Sequence, residues 1–229
     1  MAKSIAEADE DSPGNIEITT RVPKERPAEA IEDEAKKGFD LLVVGMDKTL
    51  NGKGGFDQKI ENICDGFRNP MAIAVAKGSH LARPAVPGFR ILVPVSGSAV
   101  SRRGAEVAIA LAHVSRNPLR VVYVSTTRDK SSRRGRTSIS LGREEAVLKD
   151  AAAAAARYNV DASTVLRAHT VPELAILQEI RSSNADLVVL GVDRIAGEKL
   201  DFGGVAHAVL SKSKASVLLI ADGDPAPKG

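Results

Sequence analysis

Three short segments rich in small residues have the composition of a phosphate-binding site. Residues 96–98 read Ser-Gly-Ser after an aliphatic run, Gly191 follows a second aliphatic run, and Gly203 and Gly204 precede a predicted helix. Small residues let the main chain approach a ligand closely, and backbone N–H groups at the start of a helix can hold a phosphate. Ligands of parallel α/β sheets bind beyond the carboxyl ends of the strands, so we expect the three segments to meet there.

Other chemistries lack the residues that they need. The four histidines are scattered, with no cysteine or carboxylate at ligand spacing, which argues against a metal site. Ser96 and Ser98 lie in a Ser-Gly-Ser turn rather than in the Gly-x-Ser-x-Gly arrangement of a hydrolase nucleophile. Cys64 is the single cysteine, so an intrachain disulfide is excluded and a reducing, cytoplasmic compartment is expected. We predict no catalytic residues, no metal and no disulfide partner.

The basic residues concentrate in one segment. Overall, 32 lysines and arginines face 29 acidic residues, and the surplus lies in residues 128–143, together with a cluster of serines and threonines. No aromatic residue is interleaved there, so nucleic-acid bases would have no surface on which to stack. We therefore interpret this segment as a solvated loop and predict no nucleic-acid partner; an anionic partner is the alternative.

One stretch of the chain occurs twice. Residues 39–48 return as residues 185–194, each with an Asp, four aliphatic residues, a Gly, an apolar residue, an Asp and a base. The offset between the two stretches is the length of a small α/β domain, so we predict a tandem repeat. The predicted parts are a tail (1–15), a truncated copy one (16–78), a linker (79–89), a complete copy two (90–222) and a second tail (223–229).

Copy two alternates strands and helices, which predicts an α/β fold with a doubly wound parallel sheet. The predicted strands are 90–95, 119–124, 163–168, 187–190 and 217–220, and the predicted helices are 101–115, 143–158, 171–181 and 204–211. We place Val107, Ala108, Leu111 and Ala112 on the inner face of the first helix. We also predict that strand 71–75 of copy one pairs antiparallel with strand 217–220, because pairing removes exposed edges.

Copy two resembles the universal stress protein family along most of its length. The resemblance lies in residues 91–98, in the aliphatic strand that ends at Gly191, and in residues 203–210 followed by 216–220. It implies a Rossmann-like, adenine nucleotide alpha hydrolase-like fold and ATP or AMP as ligand. Arg194 stands where the ATP-binding members have a second Gly, Gly204 where they have Ser or Thr, and Ser96 where members usually have Asp. The implied binding residues are Val95, Ser96, Val124, Gly191, Arg194, Gly203, Gly204 and Val205.

The tandem arrangement resembles the cytoplasmic tails of bacterial cation/proton antiporters. The residues that carry this likeness are Lys48, residues 52–56 and residues 100–112. It implies a regulatory, ligand-sensing module at the inner face of the membrane, whose partner is a membrane antiporter domain or a second copy of the chain. Two other functions stay open: a nucleotide-free stress-response scaffold that dimerises through its last strand and, more distantly, an ATP hydrolase.

Overall fold

The computed structural model describes residues 41–46, 50, 57–58, 61, 67, 69–82, 89–125, 136–168, 171–193 and 202–223. These residues form seven strands and five helices. In chain order they are β1 (Leu42–Gly45), β2 (Met71–Val75), α1 (Ser79–Ala82), β3 (Ile91–Val95), α2 (Ala99–Ser115), β4 (Leu119–Val124), α3 (Arg136–Arg157), β5 (Ala162–Arg167), α4 (Pro172–Ser182), β6 (Leu187–Val192), α5 (Gly203–Lys212) and β7 (Ser216–Ala221).

The strands form one sheet in the order β1-β2-β7-β6-β3-β4-β5. The five strands β3 to β7 are neighbours in the sheet, and each pair of adjacent strands among them is parallel. This confirms the predicted doubly wound α/β fold. Strand order reverses between β3 and β6, and these two strands pair at only two positions, Ile91 with Leu187 and Leu92 with Val188. Because pairing stops there, a cleft opens between the carboxyl ends of the two strands, at the switch point where such folds bind ligands.

The two faces of the sheet carry separate hydrophobic cores. Val93 and Leu119 pack with α2 and α3 on one face, whereas Leu92 and Val188 pack with α4 and α5 on the other. Successive residues of a strand point to opposite faces, so a strand covered on both sides must be apolar throughout. The near-continuous aliphatic runs of β3 and β6 meet this requirement.

Strand β2 joins the residues of the predicted copy one to copy two. It pairs antiparallel with β7 over five residue pairs, from Met71 with Ala221 to Val75 with Val217, which confirms the predicted antiparallel pairing. The parallel pair Leu42 with Met71 has the same register as its counterpart in copy two, Val188 with Val217. The tandem repeat itself stays a prediction. Since β7 has β2 at one edge and β6 at the other, its backbone has no free edge for pairing with a second copy.

Three predicted details differ from the structure. Helix α3 begins at Arg136, inside the basic segment that we interpreted as a loop. Strand β6 continues through Gly191 and Val192, two residues beyond the predicted end at residue 190, because both residues stay in register with β7. On α2, Val107 and Leu111 are only half-buried. Except for Ile109, the buried residues of this helix are small: Ser101, Gly104, Ala105, Ala108, Ile109 and Ala112.

Several predictions concern residues outside the described part of the chain. They include the predicted tail 1–15, residues 16–40 of the predicted copy one, and Arg194. Among the helices that the structure describes, none combines the length and hydrophobicity of a transmembrane span.

Candidate functional site

A cavity of about 470 Å³ lies at the carboxyl ends of β3, β4 and β6. It is within the size range of small-molecule sites. The structure brings together six of the eight predicted binding residues in its lining, namely Val95, Ser96, Val124, Gly191, Gly203 and Val205. Gly204 is in the first turn of α5 but does not line the cavity, and Arg194 lies outside the described residues. The role of all eight residues in binding stays a prediction.

Gly191 has a packing role that the sequence did not indicate. A Cβ atom at this position would lie 1.8 Å from the carbonyl oxygen of Val100, in the first turn of α2. From the helix side, a Cβ atom on Gly104 would lie 2.6 Å from the backbone nitrogen of Gly191. Two glycines therefore let α2 lie directly on the backbone of β6. This contact fixes the helix that forms one wall of the cavity.

The serines after β3 form the cap of α2. Ser98 is the N-cap residue, and its side-chain oxygen accepts a hydrogen bond from the backbone N–H of Ser101 at 3.2 Å. The Ser96 hydroxyl donates to Ser98 Oγ at 3.1 Å, and the Ser98 backbone N–H donates to Ser96 Oγ at 3.4 Å. Such a cap satisfies backbone N–H groups that a helix leaves unpaired at its start. These hydroxyls therefore shape the turn, and none of these bonds joins them to a general base.

The start of α5 forms the opposite wall. Its N-cap is Phe202, whose side chain makes no capping hydrogen bond. Gly203 has φ +84°, a left-handed conformation that favours glycine, and a Cβ atom there would meet no described atom within 4 Å. A carboxylate lies close to the first turn of α5: Glu173 Oε1 is 3.1 Å from the position that a Cβ atom on Gly204 would take. The positive end of a helix attracts carboxylates and phosphates alike, so a bound phosphate would share this place with Glu173 or displace it.

The cavity is mainly apolar. Among its described lining residues there is no lysine, arginine or histidine, and Asp193 is the single carboxylate. Val95, Leu190 and Phe202 form a buried apolar surface. A flat, uncharged group such as a nucleoside base fits this surface, whereas a chain of phosphates would find few positive charges. Within the described residues, no group of His, Cys, Asp and Glu could hold a metal ion.

Sequence reasoning missed several residues that line the cavity: Tyr123, Pro172, Ile176, Asp193 and Phe202. Two of them carried a usable signal, since Tyr123 precedes Val124 at the carboxyl end of β4 and Phe202 precedes the glycine pair. Pro172 and Ile176 are on α4, and only the fold shows that the first turns of α4 reach the cleft.

The doubly wound sheet and the cleft at its switch point define the class of protein, an α/β domain with a ligand-type cavity. The profile of the Universal stress protein family matches residues 89–221, more than half of the chain. The chain therefore belongs to the universal stress protein family. No curated protein matches it.

Solved structures resemble the chain at low sequence identity. A universal stress protein from Archaeoglobus fulgidus is 21% identical, with a TM-score of 0.50 over 58% of this chain and 98% of its own. A universal stress protein from Archaeoglobus fulgidus DSM 4304 is 17% identical, with a TM-score of 0.57 over 86% of this chain and 66% of its own. A universal stress protein from Archaeoglobus fulgidus solved in complex with dAMP is 18% identical, with a TM-score of 0.47 over 59% of this chain and 99% of its own. At these identities the likeness concerns the fold.

Proposed function

We propose that this chain is a ligand-sensing regulatory module whose second copy binds an adenine nucleotide in the cleft between β3 and β6. The observation that carries the proposal is that six of the predicted binding residues, which are spread along the chain, line one cavity at the switch point. The base would lie on the apolar surface near Val95 and Val124, beside Ser96. The phosphate would lie at Gly203 and Gly204, with Arg194 as a further donor.

The charges of the cavity favour a ligand with few phosphates. Asp193 and the nearby Glu173 both oppose negative charge, and no described lining residue offsets them. We therefore expect AMP to bind at least as tightly as ATP. Adenosine should keep part of the affinity, because the apolar surface contacts the base and not the phosphate.

Titration calorimetry with AMP, dAMP, ATP and adenosine tests this proposal. We expect one site per chain and a loss of AMP binding in Gly204→Asp, which places a second carboxylate beside the phosphate. Gly45→Asp is the matched control, since it makes the same change at an exposed strand residue on the opposite edge of the sheet. Equal AMP affinity in the two variants would refute the assignment of the phosphate position.

We propose further that the module does not turn over its ligand. The support is that the cavity lining, as far as the structure describes it, contains no hydroxyl paired with a general base: Ser96 and Ser98 bond to each other and to the start of α2. Incubation with ATP should release no ADP above a buffer control. Release that grows with time and protein concentration would restore the ATP hydrolase alternative.

A nucleotide-free scaffold is the second candidate function. The observation in its favour is the acidic surroundings of the start of α5, where Glu173 already lies near the place proposed for phosphate. If neither AMP nor ATP binds at millimolar concentration, and nucleotide is absent from the denatured purified protein, the scaffold interpretation replaces the first. Partners would then be a second copy of the chain or another protein.

The resemblance to antiporter tails supports a proposal about context. We propose that the chain is the cytoplasmic part of a cation/proton antiporter, or derives from one, and acts at the inner face of the membrane. The support is the likeness of Lys48, residues 52–56 and residues 100–112 to such tails. Reading the coding sequence upstream of Met1 tests it: membrane-spanning segments in frame would support the context, and a stop codon directly upstream would contradict it.

A further inference from the structure

A second cavity, of about 540 Å³, lies at the other edge of the sheet from the candidate nucleotide site. It is at the amino ends of β6 and β7 and at the carboxyl end of β2, which runs antiparallel to them. A six-residue strand separates the two edges, at about 3.3 Å per residue or roughly 20 Å in all. One nucleotide cannot occupy both cavities.

Positive charge dominates the lining of this second cavity. Its charged residues are five cations and one carboxylate: Lys77, Arg90, Arg181, Lys212, Lys214 and Asp186. They come from separate parts of the chain. Lys77 follows β2, Arg90 precedes β3 and Asp186 precedes β6. Arg181 and Lys212 lie at the ends of α4 and α5, and Lys214 lies between α5 and β7. Cations in the last turn of a helix stabilise its negative end, which is a sufficient reason for Arg181 and Lys212 taken singly. It does not account for Lys214, which lies outside the helices.

Two of the five cations already have partners. The Lys77 ammonium donates hydrogen bonds to the carbonyl oxygens of Leu210, at 2.5 Å, and Ser213, at 3.1 Å, near the end of α5. Arg90 contacts Asp186 through its backbone N–H at 3.0 Å and its Nε at 3.5 Å. The single carboxylate and the two carbonyl oxygens at the end of α5 are therefore occupied.

The other three cations have no negative partner. Arg181, Lys212 and Lys214 make no ion pair with any residue in the described part of the chain, and all three are exposed. Burial also lowers the pKa of Lys77, as expected for an ammonium group that has lost water without gaining a carboxylate. The described lining of the cavity thus has more positive charge than its one carboxylate can balance.

We propose that this cavity binds a phosphate-bearing anion, with Arg181, Lys212 and Lys214 as its charged donors. A guanidinium and two ammonium groups supply many N–H donors and no acceptor, which is the set that a phosphate with its several oxygens can use. The phosphate comes either from a small soluble molecule or from a phospholipid headgroup. Lys77, which follows β2, also lines the cavity, so the site lies where the first and second copies of the predicted repeat meet.

Titration of the 229-residue chain with inorganic pyrophosphate tests the soluble source. The double variant Lys212→Gln/Lys214→Gln removes two donors, and Lys149→Gln/Arg157→Gln removes the same charge from exposed residues of α3. We expect pyrophosphate affinity to fall about tenfold or more in the first variant and to stay unchanged in the second. Both variants should keep the circular dichroism and melting temperature of the parent chain, because all four side chains are exposed.

Cosedimentation with phosphatidylcholine vesicles, with and without phosphatidic acid, tests the lipid source. Binding to phosphatidic acid that the cavity variant loses and the α3 variant keeps would assign a headgroup, even if pyrophosphate does not bind. Two results would overturn the proposal. One is no binding of either probe by the parent chain, and the other is an equal loss in both double variants, which would mean that overall charge and not the cavity attracts the anion.

Discussion

Replacing Gly191 by alanine perturbs the wall of the candidate nucleotide site at a point where main chain meets main chain. The new Cβ atom would lie 1.8 Å from the carbonyl oxygen of Val100, whereas ordinary van der Waals contact begins at 3.4 Å. Strand β6 and helix α2 would therefore have to move apart by the difference between these two distances. No side-chain rotation can relieve the clash, because the backbone of β6 fixes the position of the Cβ atom and the carbonyl oxygen belongs to the backbone of α2.

The cost should lie near the upper end of the usual range for overpacking. Extra methyl groups in a well-packed core cost about 1 to 3 kcal/mol, and here the buried face of α2 loses part of its contact with the sheet. We expect Gly191→Ala to lower the free energy of unfolding by about 3 kcal/mol. For a chain of this length that corresponds to a fall of roughly 6 to 12 °C in the melting temperature.

Gly45→Ala is the matched control. Gly45 is the counterpart of Gly191 in the equivalent strand of the predicted first copy, and a Cβ atom there meets no described atom within 4 Å. Alanine should be neutral or stabilising there by up to about 1 kcal/mol, because it reduces the freedom of the unfolded chain. Urea unfolding followed by circular dichroism measures both variants. If Gly191→Ala changes the unfolding free energy no more than a surface substitution does, within about 0.5 kcal/mol, the helix–strand contact is not tight and the reasoning fails.

Three further changes test other parts of the fold. The parent chain should become more stable relative to Lys77→Met as pH rises from the lowered pKa of folded Lys77 to its unfolded value of 10.5. Between these two values only the unfolded state holds the proton on Lys77. Urea titrations at several pH values measure this, and a difference between the two proteins that does not change with pH would contradict it. Glu179→Ala should cost about 3 kcal/mol, because Glu179 is fully buried and paired with two arginines, whereas exposed Glu145→Ala should change little in the same titration. Ser98→Ala should cost about 1 kcal/mol by removing the cap of α2, and an unchanged melting temperature would argue against that cap.

Hydrophobic pattern was sufficient to predict the strands and most helices of copy two. Strands buried on both faces must be aliphatic throughout, so β3 and β6 could be recognised in the sequence. The antiparallel pairing of β2 with β7 was also predictable, because a bare aliphatic edge is costly. The rule that ligands bind at the carboxyl ends of such strands pointed to Ser96, Gly191 and Gly203, and the family resemblance added Val95, Val124 and Val205.

The predictions that were wrong or missing concern distances between elements, which the pattern of the sequence does not give. Val107 and Leu111 were expected on the inner face of α2 from the helical spacing of apolar residues, yet both are only half-buried, whereas Gly104 and Ala105 are buried. Where Gly104 faces Gly191, the helix lies too close to β6 for a side chain between them. The approach of Glu173 to Gly204 was likewise hidden, because α4 and α5 meet only in the folded sheet.

The pairing of β2 with β7 determines how the sheet behaves when the protein is diluted. Two separate chains that share a sheet edge come apart when their concentration falls below the dissociation constant. Here the two strands belong to one chain, so the strand that completes the sheet stays at a high effective concentration that does not depend on how much protein is present. The continuity of the sheet across β2 and β7 should therefore be as complete in a nanomolar sample as in a concentrated one.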